Sequence, residues 1–177
     1  MAFYTIDGTN GPDTLIDYNR YPGDGYLGLV TINGFGGDDI IFGEDISTKY
    51  HIFGGAGPDK LVGDVGTDSL IGGAGNDLFL FYSVSDSQPG LSRDIIKDFV
   101  GNGNLPGDII DISNIDANTT IKGDQAFTYI GSRAFTAAGQ IRYSGGILQG
   151  NTDSNLAANF EIQLQGSPLL VANDIIV

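Results

Sequence analysis

Apolar residues in the first half of the chain recur at intervals of nine, with short polar stretches between them. Residues 54–80 read GGAGPDKLV, GDVGTDSLI and GGAGNDLFL, three units with glycine at positions 1 and 4, aspartate at 6 and an apolar residue at 8. Residues 34–42 (GFGGDDIIF) and 8–16 (GTNGPDTLI) fit the same frame, and 81–89 (FYSVSDSQP) keeps Asp86 at position 6. The pattern predicts a turn over the first six residues of each unit and a short strand over the last three.

In a three-residue strand only the middle side chain points inward, so position 8 of each unit is a predicted core position. These residues are Leu15, Ile41, Leu61, Leu70 and Phe79. Successive strands would alternate between two facing sheets, giving coils of two units. We therefore predict an all-β fold with a parallel β-roll (a two-sheet β-solenoid) of nonapeptide repeats over residues 1–89.

The chain contains 28 glycines in 177 residues, and their regular spacing indicates repeated tight turns instead of a flexible linker. Turns on the same side of the roll should stack at the strand spacing of about 4.8 Å. An ion midway between two stacked turns would lie about 2.4 Å from each, which matches calcium–oxygen distances of about 2.3–2.6 Å better than the shorter distances of magnesium. The repeat therefore predicts several Ca²⁺ ions held by aspartate carboxylates and backbone carbonyls.

The parity of the repeat places Asp59 and Asp77 on one edge of the roll, together with Asp39, and Asp68 and Asp86 on the other. The candidate ligands are the position-6 aspartates and the turn residues of the tandem units. They are Asp13, Asp39, Gly54, Gly55, Ala56, Gly57, Asp59, Gly63, Gly66, Asp68, Gly72, Gly73, Ala74, Gly75, Asp77 and Asp86.

Charge and composition narrow the remaining functions. The formal net charge is −14, with 22 acidic residues against 8 basic ones, which disfavours nucleic acid and anionic membranes as partners. The chain has no cysteine, so it has neither disulfides nor thiolate chemistry. No apolar run reaches the roughly 20 residues of a membrane helix, and the first residues do not form a cleavable signal peptide.

The nonapeptides resemble those of the repeats-in-toxin (RTX) family. DIIKDF at 94–99, GDIIDISNIDAN at 107–118, GDQAFTYIGSRAFTAAGQIRY at 123–143 and NFEIQLQG at 159–166 are similar to the C-terminal domain of serralysin-type metalloproteases. The resemblance implies that residues 90–177 form a C-terminal β-sandwich-like cap, against which the roll packs. Within DIIKDF, Asp98 is a further candidate calcium ligand. The zinc motif of those proteases is missing, since the only histidine is His51.

The resemblance implies type I secretion through an ABC transporter and an extracellular location. It also implies an uncleaved C-terminal signal, and Asp174, Ile175, Ile176 and Val177 fit the acidic-then-apolar ending of such signals. The alternative is that these residues form a final edge strand, and the two interpretations are compatible. Calcium, scarce in the cytosol, would complete the fold only after export.

Two other functions are weaker hypotheses. A module that binds an extracellular polysaccharide, belongs to a surface layer or serves a fused or neighbouring exported enzyme would use exposed aromatic or basic residues, and Tyr18, Tyr21 and Tyr26 beside Arg20 are the one such cluster. An enzyme would need a catalytic constellation, which His51, Ser92 and scattered aspartates do not make.

The loop GNTDSNLAANFEI contains only one acidic residue, Asp153, so a calcium site there is disfavoured.

Overall fold

The computed structural model describes residues 3–17, 28–44, 49–101 and 106–177. Within these ranges the regular structure consists of short β-strands and two single-turn 3₁₀ helices, Gly90–Ser92 and Ala172–Asp174. The strands are β1 Phe3–Asp7, β2 Thr14–Ile16, β3 Leu29–Gly36, β4 Ile40–Phe42, β5 Lys49–Ala56, β6 Lys60–Val62, β7 Ser69–Ala74, β8 Leu78–Leu80, β9 Asp94–Ile96, β10 Ile109–Asp111, β11 Thr128–Tyr129, β12 Gln140–Ser144, β13 Ile147–Asn151, β14 Phe160–Leu164 and β15 Ile175–Ile176.

The strands of the repeat region alternate between two parallel sheets, as predicted. In the described part of the chain, sheet A has the order β1-β3-β5-β7-β9-β14-β13-β12-β11, and sheet B has the order β15-β10-β8-β6-β4-β2. Every pair from β1 to β10 within a sheet is parallel. The predicted all-β, two-sheet parallel roll is thus confirmed.

The length of a coil follows the spacing of the repeat. In the tandem region it is 18 residues, since Ile52 aligns with Leu70 in sheet A and Leu61 aligns with Phe79 in sheet B. The preceding coil contains two more residues, because Ile41 aligns with Leu61. Insertions are accommodated in the turns and loops, while hydrogen bonding between strands keeps the core positions in register.

The core of the roll lies between the two sheets. Four predicted core residues (Ile41, Leu61, Leu70 and Phe79) are completely buried, whereas Leu15, in the first coil, is half-buried. Sheet A contributes side chains that face them. These are Val30, Tyr50, Ile52 and Ile96. One narrow apolar stack therefore runs along the roll.

The C-terminal part of the chain continues both sheets edge to edge. Strand β9 pairs in parallel with β7 on one side and with β14 on the other, and β14, β13 and β12 form an antiparallel meander. In sheet B, β10 stacks on β8 and β15 stacks on β10. The core is continuous across this junction, where the Phe79 and Phe99 ring centroids lie 6.2 Å apart. The boundary at residue 89 remains a prediction, but the main-chain hydrogen bonding runs through it.

Hydrogen bonds to Glu161 connect the segment after the repeats, residues 87–93, to the antiparallel meander. Glu161 of β14 accepts hydrogen bonds from Arg93 (2.7 Å), from the backbone N–H of Gly90 (3.0 Å) and from Gln149 (2.6 Å). Its backbone N–H donates to the carbonyl of Ser87 at 3.0 Å.

No helix within the described ranges is long and apolar enough to cross a bilayer.

Candidate calcium sites

One edge of the roll contains a column of aspartates, here called the first column: Asp13, Asp39, Asp59, Asp77 and Asp108. Each aspartate except Asp13 accepts, through Oδ1, the backbone N–H of the preceding member. The N···O distances along the column are 2.8, 2.9, 2.9 and 3.0 Å. This regular bond places one carboxylate in each coil and leaves its second oxygen, Oδ2, for another partner.

The opposite edge contains a second column, made of Tyr50, Asp68 and Asp94. The N–H of Tyr50 donates to Oδ1 of Asp68, and the N–H of Asp68 donates to Oδ1 of Asp94, both at 2.7 Å. Gly63 and Gly66 leave the space in which the Asp68 carboxylate lies, since a Cβ at either would lie closer than 3.0 Å to Oδ2.

Five of the seven column aspartates have a second carboxylate oxygen that is buried without a hydrogen-bond partner in the described structure. This holds for Oδ2 of Asp39, Asp59, Asp68, Asp77 and Asp94. An ionised oxygen buried in this way is costly unless a cation or a donor meets it. Five such atoms in two regular rows are an unusual number, and they favour bound cations.

The first glycine of each turn gives these oxygens room. A Cβ at Gly54 would overlap both Oδ2 of Asp59 and the carbonyl oxygen of Gly72, and a Cβ at Gly34 would overlap Oδ2 of Asp39 and the carbonyl oxygen of Gly54. Carboxylate and carbonyl oxygens thus converge with no donor between them. Oxygens of these two kinds are the ligands that Ca²⁺ prefers.

The remaining turn glycines bring further carbonyls close to the neighbouring coil. Gly55, Gly57 and Gly73 have φ of +119°, +124° and +102°, in a region where other residues are strained. A Cβ at Gly73 would overlap the carbonyl of Gly55, and a Cβ at Gly75 would overlap that of Gly57. The alanine carbonyls accept backbone hydrogen bonds, that of Ala56 from Gly37 and that of Ala74 from Gly57, both at 2.8 Å.

The electrostatics of the columns also favour a cation. Burial, and then the neighbouring carboxylates, raise the pKa of Asp59 and Asp77 to about 6, although a backbone N–H bond to each opposes the rise. Burial raises the pKa of Asp68 to about 8 and that of Asp94 well above its usual value. Burial therefore favours the protonated form of these carboxyls over the ionised form. A bound divalent ion would offset the cost of burying the ionised form.

Three candidate ligands accept hydrogen bonds from nearby backbone N–H groups: Asp13, the first member of the first column, and Asp86 and Asp98, which lie outside the columns. Oδ2 of Asp13 accepts hydrogen bonds from the N–H (2.6 Å) and hydroxyl (2.9 Å) of Thr9. Asp86 accepts the N–H groups of its own turn, from Tyr82 (2.7 Å) and Ser83 (3.0 Å). Asp98 accepts the N–H groups of Gly72 (3.0 Å) and Gly73 (2.8 Å), which orders the glycine turn beside Asp77.

Two aspartates of the columns, Asp94 and Asp108, were not among the sequence candidates, and neither was Tyr50. Long loops separate the two aspartates from the tandem units, so they fall outside the phase of the repeat. A shorter signal identifies them: Asp94-Ile95-Ile96 and Asp108-Ile109-Ile110 match Asp39-Ile40-Ile41, with the aspartate two residues before a core side chain. Asp86 keeps the nine-residue phase but is not followed by a strand of the roll.

The other sequence hypotheses concern residues away from the columns. Within the described ranges, no three His, Cys, Asp or Glu side chains converge on one point, so any ion would depend on backbone oxygens as well. His51 is exposed on β5. The Asp153 carboxylate accepts hydrogen bonds from Asn155 and Asn159. The tyrosine cluster with Arg20 lies outside the described residues.

The proposed export signal contains β15, an edge strand of sheet B, which follows directly after Asp174 at the end of the second 3₁₀ helix. Asp174 and Ile175 are buried, and Oδ2 of Asp174 accepts the N–H of Val171 at 3.0 Å. Ile175 aligns with Ile110, whereas the side chains of Ile176 and Val177 are 42% and 39% exposed. The edge-strand interpretation therefore describes the conformation of Ile175 and Ile176.

The chain matches a known protein family and a solved structure. A structure search finds the AlgE6R3 subunit of the mannuronan C5-epimerase of Azotobacter vinelandii, at 24% identity and a TM-score of 0.44, covering 98% of this chain and 77% of that one. No curated protein sequence matches the chain. The family model described as "Peptidase M10 serralysin C terminal" matches residues 8–177. This match confirms the family predicted from the nonapeptides and the segments after them, and the chain belongs to the family of serralysin C-terminal domains, which contain RTX repeats.

Proposed function

We propose that the chain is a non-catalytic module that binds several Ca²⁺ ions and folds on binding them, after export from the cell through an ABC transporter. The observation that carries this proposal is the pair of columns, in which five buried aspartates have an Oδ2 without a hydrogen-bond donor, and the Oδ2 atoms of Asp39 and Asp59 lie beside glycine carbonyl oxygens of the next coil. Ca²⁺ satisfies such oxygen sets with flexible geometry, and several ions per chain would make folding depend on calcium.

The chain's own residues would then divide the work between them. Oδ1 of a column aspartate accepts the backbone N–H of the aspartate in the preceding coil, and Oδ2 would bind the ion. The turn glycines supply carbonyls at close approach, and Gly55 and Gly73 allow the required left-handed backbone. Bound calcium would supply the positive charge that the columns lack.

We expect removal of one column carboxylate to lower the number of bound ions. Asp59→Asn keeps the size of the side chain but removes its charge, and should lose at least one ion because Oδ2 of Asp59 faces the Gly72 carbonyl. Asp124→Asn makes the same charge change at an exposed position and should bind as many ions as the parent. Native mass spectrometry in calcium, with calorimetric titration, measures the count. A parent chain that binds no calcium, or an unchanged count in Asp59→Asn, would contradict the proposal.

Export is tested by separating the buried and exposed parts of the last four residues. A linear signal read before folding should fail when residues 174–177 are deleted, and also when Ile176 and Val177 are changed to serine. An edge strand depends mainly on Ile175, which is 7% exposed, so Ile175→Ser should lower the melting temperature far more than the changes at the exposed pair.

Secreted yield from a cell that carries a suitable ABC exporter, and the melting temperature in calcium, are measured for the same variants. Low yield for the Ile176/Val177 double variant with a normal melt supports the signal. Normal export of the chain without residues 174–177 would contradict it.

A further inference from the structure

The first glycine of each turn has a repeated environment in the roll. At Gly8, Gly34 and Gly54, a Cβ would lie closer than 3.0 Å to two oxygens: Oδ2 of the aspartate of the same turn and the carbonyl oxygen of a glycine in the next coil. A carboxylate oxygen and a carbonyl oxygen from neighbouring coils therefore lie close together beside each of these glycines. In the proposed function, an ion is bound next to such a pair of oxygens.

Gly43 stands at the equivalent place in the second column but has different neighbours. A Cβ there would lie 2.7 Å from the carbonyl oxygen of Gly63 in the next coil, as in the other turns. Its second neighbour is the Tyr50 ring, with Cδ2 at 2.6 Å and Cε2 at 2.7 Å. Tyr50 occupies the place of an aspartate, because its N–H donates to Asp68 as that of Asp59 donates to Asp77.

The Tyr50 side chain is completely buried and reaches across to the first coil. Its hydroxyl donates to Oδ2 of Asp17 at 3.1 Å, and Asp17 is itself 4% exposed. Burial, and then the charge of Asp17, raise the pKa of the Tyr50 phenol, so its proton stays on the hydroxyl. The side chain thus fills space beside the Gly63 carbonyl with carbon and connects two coils by a hydrogen bond.

We infer that Tyr50 takes the place of a calcium ion in the second column: its ring fills the position between the Gly43 and Gly63 turns, and its hydroxyl connects its own turn to Asp17 of the first coil. This inference rests on the proposed calcium function. The second column then begins to bind ions at Asp68, whereas the first column has aspartates in every coil. A two-residue-longer coil, in which Gly43 precedes Tyr50 by seven residues while Gly63 precedes Asp68 by five, accompanies the replacement.

Two substitutions at Tyr50 test the inference. Tyr50→Asp restores the carboxylate of the other turns and removes the ring, so it should bind one ion more per chain than the parent. Tyr50→Phe keeps the ring and removes only the bond to Asp17, so it should bind the same number of ions and melt roughly 3–12 °C lower in saturating calcium. Native mass spectrometry and thermal melts in the same calcium buffer give both readouts.

Each outcome has a definite meaning. An unchanged ion count in a folded Tyr50→Asp chain would overturn the inference, as would the loss of an ion in Tyr50→Phe, which would make the hydroxyl a ligand. If Tyr50→Asp does not fold, the ion count of Tyr50→Phe still decides, since an unchanged count supports the substitution of ring for ion. A parent chain that binds no calcium would refute the proposed function. A parent chain that binds calcium, with an equal ion count in Tyr50→Asp, would refute only the inference about Tyr50.

Discussion

The melting temperature of the whole chain is expected to fall by about 15–30 °C when millimolar calcium is replaced by excess EDTA. An ion at 100 times its dissociation constant stabilises a fold by about 2.7 kcal/mol, so three ions contribute about 8 kcal/mol. That is comparable with the entire stability of an ordinary domain, about 5–15 kcal/mol, and each kcal/mol moves the midpoint of a chain of this size by about 2–4 °C.

The effect should extend beyond the repeats, because the C-terminal strands continue the same sheets. Strand β9 begins at Asp94 of the second column and pairs directly with β14 of the meander. Hydrogen exchange of residues 140–151 should therefore accelerate on calcium removal, together with that of residues 60–80. Magnesium at the same concentration serves as the control and should restore little, since it accepts the irregular oxygen set poorly. Equal midpoints in EDTA and calcium would show that the sheets hold without ions.

Much of the roll could be predicted from the sequence, because nine-residue units translate directly into geometry. Position 8 identified Ile41, Leu61, Leu70 and Phe79 as core residues, and the two-unit coil matches the observed 18-residue register in the tandem region. A repeat is informative in this way since each unit meets only its neighbours, and its pattern must satisfy the same contacts each time.

The columns could be predicted only where the repeat is uninterrupted. Asp68 and Asp94 are 26 residues apart, and Asp77 and Asp108 are 31 apart, yet each pair makes the same bond as Asp59 and Asp77 at 18. Loops that leave the roll and return cost little free energy, so insertions can accumulate without altering the stack. The nine-residue spacing of the sequence is then lost, although the strands remain in register in the sheet.

Tyr50 illustrates a second limit. In the sequence it is one aromatic residue in an irregular unit near a turn. Only the structure, in which the backbone N–H of Tyr50 donates to the Asp68 carboxylate, shows that it occupies a column position. A replacement of this kind becomes visible from three-dimensional neighbours, here the Gly63 carbonyl and the Asp17 carboxylate.

The calcium-free chain should become less stable as the pH rises from 5 to 8, whereas the calcium-loaded chain should become more stable. Burial raises the pKa of Asp59 and Asp77 to about 6 and that of Asp68 to about 8, against about 3.9 for an unfolded aspartate. Between these values the folded chain holds more protons than the unfolded chain, so its stability is present at low pH and is lost as the pH rises through the folded pKa values. Calcium needs the same oxygens ionised, so protons compete with it below about pH 6 and the dependence reverses.

Thermal melts at pH 5 and pH 8, in calcium-stripped buffer and in millimolar calcium, would reveal this crossing. General repulsion in a chain of net charge −14 also favours low pH, so the comparison requires variants of equal charge. Asp77→Asn removes a buried column carboxyl and should flatten the calcium-free profile, because its amide has no proton to lose. Asp124→Asn removes an exposed charge and should leave the slope close to that of the parent. A calcium-free stability that rises toward pH 8, or equal slopes in the two variants, would mean that the column carboxyls do not carry the pH dependence.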